Sequence, residues 1–123
     1  MKIAVGCDHA GFVLKSAVTE ALGRRAGVEV VDFGTHSKER VDYPDIALKV
    51  ARAVSNGEAA SGVLLCGTGI GMAIAANKVK GIRAAACNDI ENARMAKAHN
   101  DLNLITLGGR VIDPGQEIGR AHV

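Results

Sequence analysis

A cysteine followed by closely spaced glycines is the feature of this sequence best suited to chemistry. The apolar run 63–65 ends at Cys66, and glycine occupies every second position of residues 67–71. This pattern predicts a buried strand that ends in a glycine-rich turn, and the helix-forming residues 72–76 follow at once. The first amides of a helix lack intrahelical partners and carry partial positive charge. We therefore expect a loop that can hold an anion.

Three interpretations of this loop stay open from the residues alone. A thiolate at Cys66 would be stabilised by the helix N-terminus. The loop amides and the Thr68 hydroxyl could instead face a phosphate, or an oxyanion that develops on a substrate during reaction. Finally, free cysteines are among the most buried residue types, so Cys66 could be only a small apolar side chain.

His99 and Arg110 are further candidates because of their positions. His99 precedes Asn100 and Asp101 at the expected end of a helix, where the helix dipole favours a positive charge. The same residues also suit a plain C-cap, with Asn100 as the left-handed residue. Arg110 follows the last expected strand and carries the forked guanidinium that suits phosphate, although an arginine on a turn is also often just solvated.

Composition limits the class of protein. The chain has 123 residues, of which 48% are hydrophobic, and it shows neither a repeat nor a linker, so we expect one domain over 1–123. The formal net charge is +2 with interleaved signs, and the aromatic residues are two Phe and one Tyr. Binding of nucleic acid is therefore not expected.

Several sites and locations are not expected. No apolar stretch reaches the roughly 20 residues that span a bilayer, and the N-terminus does not resemble a signal peptide. Three cysteines without CxxC spacing favour free thiols in a reducing compartment, so we predict a cytoplasmic protein. The sequence lacks the spacings of metal, dinucleotide and nucleoside triphosphate sites, and hence we expect none of these three sites.

Alternating strand and helix patterns must position these candidates. Apolar strand-like runs occur at 2–7, 28–33, 63–66, 82–87 and 102–107. Helical patterns follow each of the first four runs. The second of these helices opens at 42–45, the third runs from 72 to about 80, and the fourth covers 90–99. A last helical segment begins at 113.

This alternation predicts an α/β fold, a three-layer α/β/α sandwich with a five-stranded parallel sheet of Rossmann-like type. The run 28–33 contains Glu29 and Asp32, which suits a strand at the sheet edge. Ligands of such sheets bind at the carboxyl ends of the strands. Polar or flexible residues follow every expected strand, so we predict the functional site at that rim.

Seven short motifs occur along the chain in a recognisable order. They are DHAG at 8–11, DYP at 42–44, CGTGIG at 66–71, AANK at 75–78, GIRA at 81–84, HND at 99–101 and GRV at 109–111. In order and spacing they resemble ribose-5-phosphate isomerase type B, a sugar-phosphate isomerase family that includes galactose-6-phosphate isomerase subunits. The resemblance extends from residue 2 to about residue 111.

The resemblance implies an aldose–ketose isomerase that interconverts D-ribose 5-phosphate and D-ribulose 5-phosphate through an enediolate, without a metal or organic cofactor. It makes Cys66 the general base, Thr68 a stabiliser of the enediolate together with the loop amides, and His99 the group that opens the furanose ring. Asp8 and Asn100 would contact sugar hydroxyls. The other implied substrate-binding residues are His9, Tyr43, Gly67, Gly69, Ile70, Gly71 and Arg110.

The resemblance also implies an assembly. Family members are homodimers, often paired into tetramers, and their sites take His99, Asn100 and Arg110 from the neighbouring subunit. One branch carries a glutamate where this chain has Met72, so the thiol branch is the better match. Members continue beyond the position of Val123 through a last helix and an arginine-containing tail. We therefore expect either that this chain is truncated there or that it binds phosphate with fewer groups.

Three alternatives remain. The same chemistry could act on allose 6-phosphate, galactose 6-phosphate or a tetrose phosphate, since His36 and Ser37 could alter the accepted length of substrate. The chain could be a non-catalytic sugar-phosphate-binding subunit, although Cys66, Thr68 and His99 together argue for catalysis. A redox-sensing thiol protein is weaker, because Cys66 has no resolving cysteine nearby in sequence.

Overall fold

The computed structural model describes residues 1–34 and 42–111 of the chain. Five strands and four helices alternate along this part of the sequence. The strands are β1 (Lys2–Cys7), β2 (Glu29–Asp32), β3 (Ser61–Cys66), β4 (Ala84–Ala86) and β5 (Leu104–Gly108). The helices are α1 (Phe12–Gly23), α2 (Tyr43–Ser55), α3 (Ile70–Ala76) and α4 (Ile90–Asn100). His36, Ser37 and the helical segment expected from residue 113 lie outside the described residues.

The strands form one parallel sheet in the order β2-β1-β3-β5-β4. β2 lies at an edge of the sheet, as its two acidic residues predicted. The chain leaves β1 towards β2 and returns to β3 on the other side, so the strand order switches between β1 and β3. This switch brings the carboxyl ends of β1, β3 and β5 next to one another, which is where parallel sheets bind ligands.

The two faces of the sheet are covered by different helices, because successive side chains of a strand point to opposite faces. Val63 packs with the α1 residues Leu14 and Val18 in one buried cluster, which also contains Ala93 of α4. Leu64 packs in a second buried cluster that holds the apolar sides of α2 and α3. The predicted α/β/α sandwich with a five-stranded parallel sheet is therefore confirmed. Within the described residues, no helix combines the length and the apolar character needed to cross a lipid bilayer.

The third helix is shorter than the sequence pattern predicted. The expected end was near residue 80, but α3 ends at Ala76. The side chain of Asn77 explains the difference, since its Nδ2 donates to the carbonyl of Ala84 at 2.9 Å and its Oδ1 accepts from the Ala84 N–H at 2.8 Å. These two bonds draw the chain out of the helix and towards β4.

The end of α4 also differs from the expectation. Asp101, and not Asn100, adopts the left-handed conformation, with φ of 49°. The Asp101 N–H donates to the carbonyl of Lys97 at 3.1 Å, and its own carbonyl accepts from Arg83 Nε at 2.7 Å. Asn100 is thus the last residue of the helix, one position before the cap.

Candidate active site

The loop between β3 and α3 holds the thiol of Cys66 against a backbone amide. Gly69 has φ of 87°, a conformation that glycine adopts without steric cost. In this conformation the Gly69 N–H donates to Cys66 Sγ at 3.0 Å. Cys66 itself is 6% exposed. The loop therefore supplies the sulfur with a hydrogen-bond donor, the contact that a thiolate requires.

Thr68 lies at the exposed tip of the same loop. Its Oγ1 accepts from the Ile70 N–H at 3.2 Å, which leaves the hydroxyl proton for donation to another group. The amides of Gly71 and Met72 lie in the first turn of α3, where no intrahelical acceptor is available. One hydroxyl and these amides can thus meet an anion beside the thiol.

Asp8 lies buried where β1 ends. Its Oδ1 accepts from the N–H groups of Ala10 and Gly11, both at 2.9 Å, and its own N–H donates to the carbonyl of Leu65 at 3.0 Å. The turn after β1 is thereby fixed against the end of β3. Within the described residues Oδ2 makes no hydrogen bond, so it can accept one from a ligand.

His9 presents a buried polar atom to the same region. Its Nδ1 has no hydrogen-bond partner among the described residues. A buried polar atom without a partner costs free energy, and such atoms are few in folded proteins. The residue itself lines the cavity described below.

Tyr43 and Arg110 flank the loop. The Tyr43 ring lies on the first turn of α3, since a Cβ built at Gly71 would be 3.2 Å from it. The Arg110 N–H donates to the carbonyl of Gly67 at 2.9 Å, and a Cβ built at Gly67 would lie 3.3 Å from Arg110 Nη1. Glycines at these two positions therefore leave room for an aromatic ring on one side and a guanidinium on the other.

These groups surround one cavity of about 250 Å³ at the carboxyl ends of the strands. It is lined by Asp8, His9, Ala10, Tyr43, Cys66, Gly67, Thr68, Gly71 and Arg110. The lining combines a thiol, a hydroxyl, a carboxylate, an imidazole and a guanidinium, which suits a small polar anion. Among residues 1–34 and 42–111, no group of three or more His, Cys, Asp or Glu side chains could hold a metal ion.

Two expected site residues, His99 and Asn100, lie away from the cavity. His99 and Asn100 are exposed at the last turn of α4, which runs from the carboxyl end of β4 back to the amino end of β5. They therefore lie towards the amino ends of the strands, opposite the end that carries the cavity, and do not line it. Arg110 was expected from a neighbouring subunit. In the described chain it lines the cavity beside its own Gly67.

Asn88 and Thr106 contact the loop and were not expected to. Asn88 Nδ2 donates to the carbonyl of Thr68 at 2.8 Å, and Thr106 Oγ1 donates to the carbonyl of Gly69 at 2.5 Å. The only sequence signals were that Asn88 follows β4 at the same rim and that Thr106 is a polar residue in an otherwise apolar strand.

Cys87 is the thiol that contrasts with Cys66. It is buried just after β4, and burial raises the pKa of the Cys87 thiol, with a further contribution from the nearby Asp89 carboxylate. Its Sγ lies 3.9 Å from the carbonyl oxygen of Asn92, which accepts a weak hydrogen bond from it. Cys87 therefore stays neutral near pH 7, which leaves Cys66 as the better candidate for reactivity.

The fold is a parallel α/β sandwich, and one cavity combines a thiol, an anion-accepting loop and a guanidinium. These features define the class of enzymes that act on small anionic substrates. The sequence narrows this class, since residues 3–121 match the family described as Ribose/Galactose Isomerase. The chain belongs to this family.

Individual relatives agree with this assignment. Ribose-5-phosphate isomerase B of Escherichia coli K12 is 52% identical over 122 residues, which cover 99% of this chain and 80% of that protein. The solved type B ribose 5-phosphate isomerase of Trypanosoma brucei has a TM-score of 0.93 at 50% identity and covers 98% of this chain and 81% of that one. A D-erythrulose-4-phosphate isomerase of Pectobacterium atrosepticum is 45% identical over 115 residues, 93% of this chain and 75% of that protein. The predicted family is confirmed.

Proposed function

We propose that this chain is an aldose–ketose isomerase that interconverts D-ribose 5-phosphate and D-ribulose 5-phosphate. The observation that carries the proposal is the pairing of Cys66 Sγ with the Gly69 N–H at 3.0 Å, beside the hydroxyl of Thr68. A base and an oxyanion-stabilising loop are the two parts that proton transfer next to a carbonyl requires. The family match and the E. coli relative support the same activity.

The proton transfer assigns a role to each group in the loop. Cys66, as the thiolate, removes the proton from C2 of the open-chain aldose, and the C1–C2 bond becomes the double bond of an enediolate. The negative charge moves to O1, where the Thr68 hydroxyl and the loop amides of residues 67–71 stabilise it. Cys66 then returns its proton to C1, while the hydroxyl proton passes from O2 to O1, which gives the ketose without any redox partner.

The other cavity residues bind the substrate. Arg110 offers a planar pair of donors that matches a phosphate, and His9 adds a ring nitrogen on the same wall. Asp8 accepts a hydrogen bond from a sugar hydroxyl through Oδ2, since Oδ1 already caps the turn. Tyr43 covers the cavity beside Gly71.

Replacement of Cys66 by alanine tests this function. We expect Cys66→Ala to lower turnover of ribose 5-phosphate by about 10²- to 10⁴-fold, the usual contribution of a positioned base. Cys87→Ala is the matched control, because it removes another buried thiol outside the cavity. Exchange of the C2 proton with deuterium oxide, followed by NMR, reports the chemical step directly. Full turnover in Cys66→Ala would reject the base assignment.

A second candidate substrate is a tetrose phosphate, because one relative carries the name D-erythrulose-4-phosphate isomerase. The chemistry at C1 and C2 is the same, and only the distance from these carbons to the phosphate changes. We expect the ratio kcat/KM to be larger for ribulose 5-phosphate than for erythrulose 4-phosphate or allose 6-phosphate. The opposite order would assign the chain to the other substrate.

We further propose that the active form is a homodimer or a tetramer of cytoplasmic chains, in which His99 and Asn100 complete the cavity of a neighbouring copy. Both residues are exposed, and neither lines the cavity of its own chain. Exposed apolar side chains also occur on α3 and on α4, namely Ile70, Ile74 and Met95. Sedimentation velocity measures the assembly, and a monomer that turns over ribose 5-phosphate would contradict the shared site.

The cytoplasmic location is supported by the three buried free thiols, which suit a reducing compartment.

A further inference from the structure

The peptide group that joins Thr68 to Gly69 is hydrogen-bonded at both ends. Its N–H is the donor that contacts Cys66 Sγ at 3.0 Å, and its carbonyl accepts from Asn88 Nδ2 at 2.8 Å. Asn88 thus bonds the carbonyl of the same peptide group whose N–H bonds the sulfur. A hydrogen bond to the carbonyl polarises the peptide and strengthens the N–H as a donor.

The next peptide group, which joins Gly69 to Ile70, repeats this arrangement. Its carbonyl accepts from Thr106 Oγ1 at 2.5 Å, and its N–H donates to Thr68 Oγ1 at 3.2 Å. Because Oγ1 of Thr68 already accepts this N–H, the Thr68 hydroxyl proton points elsewhere. Thr106 therefore contacts the peptide whose N–H meets Thr68, just as Asn88 contacts the peptide whose N–H meets Cys66.

Both supporting side chains are themselves fixed. Asn88 Oδ1 accepts from the Gly108 N–H at 2.7 Å, which determines that the amide nitrogen, and not the oxygen, faces the loop. Gly108 packs closely on the loop, since a Cβ built there would lie 2.6 Å from the carbonyl carbon of Thr68. Thr106 is fully buried on β5. The sheet thus anchors the loop at two successive carbonyls.

We propose that Asn88 and Thr106 are positioning residues that act through these two peptides. Asn88 holds and polarises the N–H that meets Cys66, and Thr106 holds the N–H that orients the hydroxyl of Thr68 towards the enediolate oxygen. This inference rests on the roles proposed for Cys66 and Thr68. It predicts that the two residues have separable effects, one on the thiol and one on the hydroxyl.

Alkylation of Cys66 tests the first relay without reference to turnover. We expect Asn88→Ala and Asn88→Asp to slow the reaction of Cys66 with neutral iodoacetamide at pH 7 by about tenfold. Loss of the Asn88 bond weakens the bond from the Gly69 N–H to the sulfur, and one hydrogen bond to a charged group is worth about this much. The modified peptide is followed by mass spectrometry, so the other two cysteines do not interfere. Asn88→Asp keeps the acceptor for Gly108 and removes the donor to the carbonyl of Thr68.

Steady-state kinetics test the second relay. We expect Thr106→Val, which keeps the shape and removes the hydroxyl, to lower kcat by about tenfold at unchanged KM. The alkylation rate of Cys66 should remain that of the parent, and Thr106→Ser should restore kcat because it restores the donor.

The outcomes separate this inference from the proposed function. Parent alkylation rates in both Asn88 variants would overturn the Asn88 relay, and unchanged kcat in Thr106→Val would overturn the Thr106 relay. Equal effects of Thr106→Val on kcat and on alkylation would show a general loosening of the loop and would also overturn the separation. Failure of the proposed function appears elsewhere, as full turnover in Cys66→Ala, and leaves the alkylation results interpretable.

Discussion

Gly69 and Thr106 are packed so closely that a Cβ built at Gly69 would lie 3.0 Å from Thr106 Oγ1. Gly69 also has φ of 87°, which L residues with a side chain rarely adopt. Two independent constraints thus require glycine at the residue whose N–H contacts the sulfur of Cys66. The loop geometry and the chemistry of the site depend on the same residue.

Substitution of Gly69 by alanine separates these two constraints when it is compared with Gly57→Ala. Gly57 has a similar φ of 86°, but a Cβ there would meet no atom within 4 Å. We expect Gly57→Ala to cost about 1 kcal/mol of stability at unchanged turnover, the cost of the left-handed conformation alone. Gly69→Ala should cost more and should lower kcat at least tenfold, since the N–H moves away from the sulfur. Urea unfolding and turnover measure both, and equal losses of stability in the two variants would contradict the crowding at Gly69.

Replacing Asp32 should destabilise the protein more than replacing Lys15, its partner in an ion pair. Lys15 Nζ lies 2.6 Å from Asp32 Oδ2, and the two side chains are 10% and 33% exposed. We expect Asp32→Asn to cost about 3 kcal/mol, because it removes a negative charge from beside a buried ammonium, whereas Lys15→Met should cost about 1 kcal/mol. The cost of Lys15→Met is smaller because the Asp32 carboxylate keeps its contact with water and still accepts from the Gly34 N–H at 2.8 Å.

The exposed pair of Arg24 and Glu20 is the control for this prediction. Its atoms are also 2.6 Å apart, but the side chains are 71% and 65% exposed. Glu20→Gln should therefore change the free energy of unfolding by less than about 0.5 kcal/mol. Equal costs for Asp32→Asn and Lys15→Met would show that burial of the ammonium does not determine the asymmetry.

Cys87 should make the stability of the protein fall at alkaline pH. Burial and Asp89 raise the pKa of the Cys87 thiol above its ordinary value of 9.0. Below that value the thiol is neutral in both the folded and the unfolded chain. Above it the unfolded chain loses the proton first, so stability falls as pH rises from about 9 through the folded pKa.

The measurement is the free energy of urea unfolding of the parent and of Cys87→Ser at several pH values from 7 to about 10.5. The serine variant lacks this titration, so we expect its deficit relative to the parent to shrink above pH 9, by at most about 1.4 kcal/mol per pH unit. Parallel curves over the whole range would contradict the shift.

The sequence predicted the parts of the fold that depend on local pattern. The run that became β1 was placed at 2–7, in agreement with Lys2–Cys7, because a buried strand of a parallel sheet is apolar throughout. The end of α3 was misplaced because it depends on Asn77 and its bonds to Ala84. No periodicity within the helix encodes a contact with a residue seven positions later.

The residues of the site also separate into those that local sequence pattern predicted and those that it did not. Cys66 and its glycines were identifiable because a thiol, three glycines and a helix start follow one another in sequence. Asn88 and Thr106 were missed because the strand order, and not the sequence spacing, brings them to residues 68 and 69. The position of Arg110 follows likewise from the pairing of β3 with β5, in which Cys66 lies opposite Gly108.

Subunit mixing tests whether His99 acts on a neighbouring cavity. Cys66→Ala and His99→Ala should each be inactive on ribose 5-phosphate when they are purified alone. In a mixed dimer, one cavity would combine the intact Cys66 of one chain with the intact His99 of the other, while the second cavity would lack both. Because half of randomly mixed dimers are hybrids with one intact site each, co-refolding of equal amounts should recover about a quarter of the parent activity. A mixture as inactive as its components would place His99 and Cys66 in the same functional site of one chain. Ribulose 5-phosphate tests what His99 does: its open chain needs no ring opening, so proton exchange at C1 should survive in His99→Ala if the residue acts only on the furanose.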